Sequence, residues 1–111
     1  MGTHSNVYIE TEKDVFVGVY CHYDGYPDHM LEQVNHCTCE EIYKHILVGG
    51  MQGGYRIFSP IDEKSEFLND GIPYYIHDPN DEGMGVDYIY VKCLDGSLKW
   101  RYGMSNKWRF K

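Results

Sequence analysis

The stretch Tyr20-Cys21-His22-Tyr23-Asp24-Gly25-Tyr26-Pro27 constrains this chain more than any other. Before it, Val15, Val17, Val19 and Cys21 alternate with Phe16, Tyr20 and His22, the period-two pattern of a strand with two distinct faces. After it, Met30, Leu31 and Val34 fall at helical spacing. Pro27 suits the first turn of a helix, where its missing N–H costs nothing. The backbone must therefore turn from strand to helix here. The corner carries stacking and hydrogen-bonding groups that the flanking elements hold in place, as functional loops often do.

Upstream, Val7 and Ile9 share one face of a strand over Asn6–Thr11 and Tyr8 takes the other. Glu12-Lys13-Asp14 is a polar turn, so the two strands form a hairpin. Met1 to His4 read as loose chain. Downstream, Asn35 to Cys37 break the first helix. Thr38 with Glu41 is a capping box that starts a second. Ile42, Tyr43, Ile46 and Leu47 are expected on its buried face, and Gly49-Gly50 at its end. Tyr55 to Phe58 reads as a short strand carrying Arg56. Ser59 to Pro73 reads as a surface loop, Tyr74 to His77 as a short strand, and Asp78 to Gly85 as an acidic loop.

Asp87 to Leu94 and Ser97 to Tyr102 alternate on either side of Asp95-Gly96, a two-residue turn signal. With that loop, Cys93 faces Leu98, Val91 faces Trp100 and Ile89 faces Tyr102 on the core side. The other side then sets Lys92 against Lys99 and Tyr90 against Arg101, with Tyr88 beyond. Opposed lysines repel, so an acidic partner or a bound anion is expected there. Tyr90 and Arg101 make a cation–π pair in this register. Aromatic faces among basic heads suit a nucleotide; the same residues also fit a solvated outer face. In the tail, Lys107 and Arg109 lie on one side and Trp108 and Phe110 on the other. Aromatics so close to a terminus suit burial against a second subunit.

At 111 residues the chain is one domain, 1–111, long enough for a single core. The fold class expected is α+β: an antiparallel β-sheet built from hairpins, with two short α-helices after the second strand. No apolar run is long enough to span a membrane, and no secretory signal opens the chain. The four cysteines, Cys21, Cys37, Cys39 and Cys93, therefore read as free thiols of a cytosolic protein. The net charge is −7, yet Lys92, Lys99, Arg101, Lys107, Arg109 and Lys111 face only Asp95 in the last stretch. An acidic whole argues against a general nucleic-acid binder. A local basic cluster suits a small anion.

Other sites find little support. His36-Cys37-Thr38-Cys39 lacks a second ligand pair at zinc spacing, so no metal is expected. Neither a phosphate-binding glycine loop nor a nucleophile elbow is present. His22 and Asp24 are two apart and can share a face, either as a general acid–base pair or as a hydrogen bond that holds the loop.

Ser5-Asn6, a hairpin ending in Tyr20 to Pro27 and two helices together resemble a family of small phage and prophage proteins, the anti-defence sponges that counter the bacterial Thoeris system. The likeness is most specific over Asn6 to about Gly49. It implies a protein that binds and sequesters a cyclic ADP-ribose isomer made by TIR-domain enzymes, without cleaving it. It further implies cyclic trinucleotide binding at a separate site, a homo-oligomer built from dimers, and a place in the cytoplasm of the infected bacterium. No cofactor, metal, nucleic acid or membrane is expected, on the charge, the ligand spacing and the lack of a long apolar run given above. Such a ligand needs arginine for phosphate and an aromatic ring for adenine. The candidates are Arg109, Arg56, His22, Asp24, Tyr26, Tyr88, Tyr90, Arg101, Asn106 and Lys107. Arg56 and Arg109 can serve two different sites of an oligomer. Two alternatives stay open: an enzyme that cleaves a cyclic nucleotide with His22 and Asp24, and a protein–protein inhibitor of a host defence nuclease.

Overall fold

The N-terminal alternation folds as a hairpin in the computed structural model, which describes residues 3–80 and 85–111. β1 (Ser5–Glu12) pairs antiparallel with β2 (Val15–Tyr23), setting Val7 against Val19 and Ile9 against Val17. Two helices follow, α1 (Pro27–His36) and α2 (Cys39–Met51). Then come β3 (Tyr55–Ile57), β4 (Glu66–Phe67), β5 (Tyr88–Lys92), β6 (Leu98–Tyr102) and β7 (Arg109–Phe110). The seven strands form one sheet in the order β4-β3-β2-β1-β5-β6-β7.

The α+β class and the two helices after the second strand are as expected, but the sheet is mixed rather than antiparallel. β1 runs parallel to β5 and β2 parallel to β3. Parallel neighbours need a long crossover, and the helical pair supplies one between β2 and β3. The strand expected at Tyr74–His77 contributes one bridge, Gly18 to Ile76, on the same edge of β2. β4 lies inside the stretch expected to be loop. Part of the acidic loop over Asp78–Gly85, and the start of the N-terminal segment, lie outside the described residues.

Alternation gives the sheet two buried faces. On the first, Val7, Val19, Tyr55 and Tyr90 pack with Met30 and Val34 of α1 and Ile42 and Ile46 of α2. α2 lies over β1 and β2, and α1 over β5 and β6. On the second, Tyr8, Ile89 and Val91 pack with Ile76 and Val86. Burying one apolar side chain of this size contributes about 1.5–3 kcal/mol, so both faces matter to stability.

Pro27 occupies the first turn of α1, and the capping box of α2 is complete. The Glu41 N–H donates to Thr38 Oγ1 at 3.1 Å, and the Thr38 N–H to Glu41 Oε1 at 2.8 Å. The far end of α2 differs from expectation: it runs on through Gly49 and Gly50 to Met51. A Cβ at Gly49 would collide with the Tyr55 ring, and one at Gly50 with the Tyr75 ring. These glycines permit close packing rather than ending the helix. Their side of α2 is the buried one, so Tyr43 and Leu47 are left exposed.

The C-terminal hairpin is shifted by one residue from the expected register. Its loop has three residues, Leu94-Asp95-Gly96: Gly96 N–H donates to Cys93 O at 2.8 Å, and Cys93 N–H to Ser97 O at 2.8 Å. Gly96 takes φ 89°, the left-handed residue that follows a type I turn in such loops. Lys92 therefore faces Leu98, Val91 faces Lys99, Tyr90 faces Trp100 and Ile89 faces Arg101. The opposed lysines and the Tyr90–Arg101 pair do not form. No helix among the described residues is long and apolar enough to cross a membrane.

Candidate nucleotide-binding surface

The one-residue shift puts four aromatic rings on the helix-covered face. Tyr88 lies 5.3 Å from Tyr102 and 6.2 Å from Trp100, and Tyr90 stacks on Trp100 at 6.4 Å. β7 extends the sheet past β6, with Arg109 opposite Trp100. The Arg109 guanidinium sits 5.6 Å from the Trp100 ring and 5.3 Å from the Tyr102 ring. Such a contact contributes about 0.5–1 kcal/mol at an exposed site and leaves the N–H edges free. The ion pair among the described residues is Lys44–Glu40, so no carboxylate among them pairs with Arg109.

The opening corner is tied to this surface. The Tyr90 hydroxyl donates to Gly25 O at 2.6 Å. Burial, first among the causes, pushes that hydroxyl's pKa up, so it stays a donor. Gly25 N–H in turn donates to Thr3 O at 2.9 Å. Asp24 takes φ 56°, an uncommon left-handed conformation that bends the chain there. Tyr26, exposed, caps the start of α1 with no side-chain hydrogen bond to the helix. Beside it runs a groove of about 520 Å³ lined by Pro27, Asp28, Leu31, Glu32, His36 and Lys111. That volume is in the range of small-ligand sites. The groove joins the corner to the chain end that follows Arg109.

Arg109 and Tyr88 thus share this face through Trp100 and Tyr102, whereas Tyr90 is fully buried with its hydroxyl committed to Gly25 and supports the corner that carries Tyr26. The other candidates lie elsewhere. His22 is on the second face, its Nδ1 2.8 Å from the Tyr20 hydroxyl and its ring stacked on His4 at 4.6 Å. No hydrogen bond joins it to Asp24. Arg56 is exposed on β3, five strand positions from β7 and roughly 24 Å away at normal strand spacing. Asn106 and Lys107 are exposed in the turn before β7.

Arg101 is 2% exposed. Its Nη1 donates to Tyr102 O, Gly103 O and Ser105 O at 3.3, 3.1 and 2.7 Å, and its Nη2 to Pro79 O at 2.6 Å. That charge is committed to holding the tail. Lys99 and Arg101 lie over the Trp108 ring at 4.5 and 5.2 Å on the second face.

Trp100 and Tyr102 belong to the surface but were assigned to the core by the two-residue loop. Gly96 as the third loop residue was the signal that would have placed them. No family model, curated protein sequence or solved structure matches the chain.

Proposed function

We propose that this chain is a phage anti-defence protein that binds a cyclic ADP-ribose isomer and sequesters it without cleavage. The observation that carries this reading is Arg109, unpaired by any carboxylate among the described residues and poised over Trp100 and Tyr102. An adenine stacks on such rings, and a phosphate accepts two N–H bonds from the guanidinium. Asp28 and Glu32 make the α1 side of the groove acidic, so the phosphates belong outside it, with Arg109, and the groove can take only the uncharged parts of the ligand. Arg56, distant from this surface, is the candidate for a separate cyclic trinucleotide site. The reading includes an oligomer built from dimers in the host cytoplasm. The exposure of Phe110, 72%, on the outermost strand supports a contact with another subunit.

The test is to incubate the protein with cyclic ADP-ribose isomers, record the melting temperature, then heat and analyse the released nucleotide. Sequestration raises the melting temperature and returns intact ligand. A cleaved product makes the protein an enzyme. No shift with any nucleotide favours a protein–protein inhibitor acting through its acidic surface. Arg109→Ala is expected to weaken binding by roughly 2 kcal/mol or more, about 30-fold. An unchanged affinity removes Arg109 from the site.

A further inference from the structure

Asn6 lies on the second face of the sheet, opposite Tyr20, and is fully buried. Neither its side-chain nitrogen nor its oxygen has a hydrogen-bond partner among the described residues. A buried amide left unpaired is a standing cost that an apolar side chain of similar volume would avoid. The neighbours on this face suggest what the amide is for. His4 is two residues back on the same side of the strand, roughly 6.8 Å away. The imidazoles of His4 and His22 stack at 4.6 Å with 22° between their planes. The Tyr20 ring closes the cluster at 5.8 Å from His4 and 5.9 Å from His22. The His22 face therefore accepts one flat ring, and His4 now fills that place.

Cation–ring contacts among the described residues fall on Trp100, Tyr102 and Trp108, and none on these rings. Such surroundings suit an uncharged ligand rather than a phosphate. The His4 backbone is anchored, its N–H donating to Asp87 Oδ2 at 3.0 Å and its carbonyl accepting from the Asp87 and Tyr88 N–H groups at 2.9 and 3.3 Å, but its ring makes no hydrogen bond among the described residues, so the ring alone can give way to another.

We propose that Asn6, His4, Tyr20 and His22 form a second binding site, for an uncharged planar heterocycle with a hydrogen-bond donor beside an acceptor. The Asn6 carboxamide pairs with that edge while the ring stacks on His22 in place of His4. Adenine has such an edge, its N6 amino group beside N7, which an asparagine side chain pairs in two-pronged fashion. The site is on the opposite sheet face from Arg109 and stands whether or not that surface binds a nucleotide.

The test uses the full chain with adenine as probe and purine, the same rings without the amino group, as control. NMR follows the Asn6 side-chain amide and the His22 ring. Adenine is expected to shift both saturably, and purine to bind at least 10-fold more weakly. His4→Ala vacates the stacking place and is expected to tighten adenine binding several-fold. Asn6→Leu is expected to raise the melting temperature and abolish binding, the signature of a residue kept for a ligand at the expense of stability. The proposal falls if adenine leaves the Asn6 and His22 signals unmoved in both the native chain and His4→Ala; the amide then holds ordered water only. It falls equally if adenine and purine bind alike. Those two arms decide the matter even where Asn6→Leu does not fold.

Discussion

Tyr90 links the sheet to the corner through one hydroxyl, which donates to Gly25 O at 2.6 Å inside a fully buried environment. Tyr90→Phe keeps the ring and leaves that carbonyl without its partner. The expected loss is about 1–2 kcal/mol, several degrees in a thermal melt for a domain this size. Tyr88→Phe, which removes no such bond, is expected to change stability by less than about 0.5 kcal/mol. Equal effects would mean that the corner does not depend on the bond. Arg101 teaches a related lesson about charge. From sequence it was one more cation beside tyrosines, available to a ligand. Its four carbonyl partners come from the tail and from Pro79, and no local pattern announces them.

Elements whose determinants are local were legible. Pro27 and the Thr38–Glu41 box mark helix starts through contacts within one turn, and both are where the sequence puts them. Thr38→Ala is expected to cost about 1 kcal/mol in chemical unfolding. Elements whose determinants are distant were not legible. The end of α2 depends on Tyr55 and Tyr75 packing onto Gly49 and Gly50. The register of β5 with β6 turns on one backbone dihedral at Gly96. Gly96→Ala forces a Cβ into the left-handed region and is expected to destabilise the hairpin by about 1–2 kcal/mol. A smaller effect than a few tenths would show that the loop has another way to close. The candidate surface inherited this uncertainty. Tyr88 and Arg109 were legible as members of a basic, aromatic C-terminal stretch. Trp100 and Tyr102 were not, because a one-residue shift reverses which face each side chain takes.

For the whole molecule, titration bounds stability on both sides. Backbone N–H groups of Leu94 and Asp14 hold the Glu10 carboxyl below its ordinary 4.5, and Thr38 does the same for Glu41. Lowered carboxyls stabilise above about pH 4.5, and the contribution fades as pH falls through the folded-state value. Burial works the other way on Cys21, pushed up to about 12 from 9.0, and raises the hydroxyls of Tyr55 and Tyr90. These groups favour the fold in their neutral forms, fully below about pH 9, and that support is lost as pH climbs above it. Melting temperature against pH is thus expected to form a plateau with two shoulders. Glu10→Gln should flatten the acid shoulder, and Cys21→Ala should soften the alkaline one. A profile unchanged by either replacement would assign the shoulders to other groups.

The parallel pairing of β1 with β5 sets the order in which the protein can be made. Ser5 meets Tyr88 and Ile9 meets Lys92, so the central strand waits for a neighbour synthesised far later. At about 5–20 residues per second, that delay is roughly 4–17 s on the ribosome. During it, β1 to β4 and both helices can assemble as a half-sheet whose open edge is β1, a strand that carries Val7 and Ile9 on one side and Tyr8 on the other. The nascent chain is then most exposed to wrong pairing at the very strand that later becomes the centre of the sheet. A chaperone that binds emerging chains would find its target in the first dozen residues, long before the aromatic surface exists.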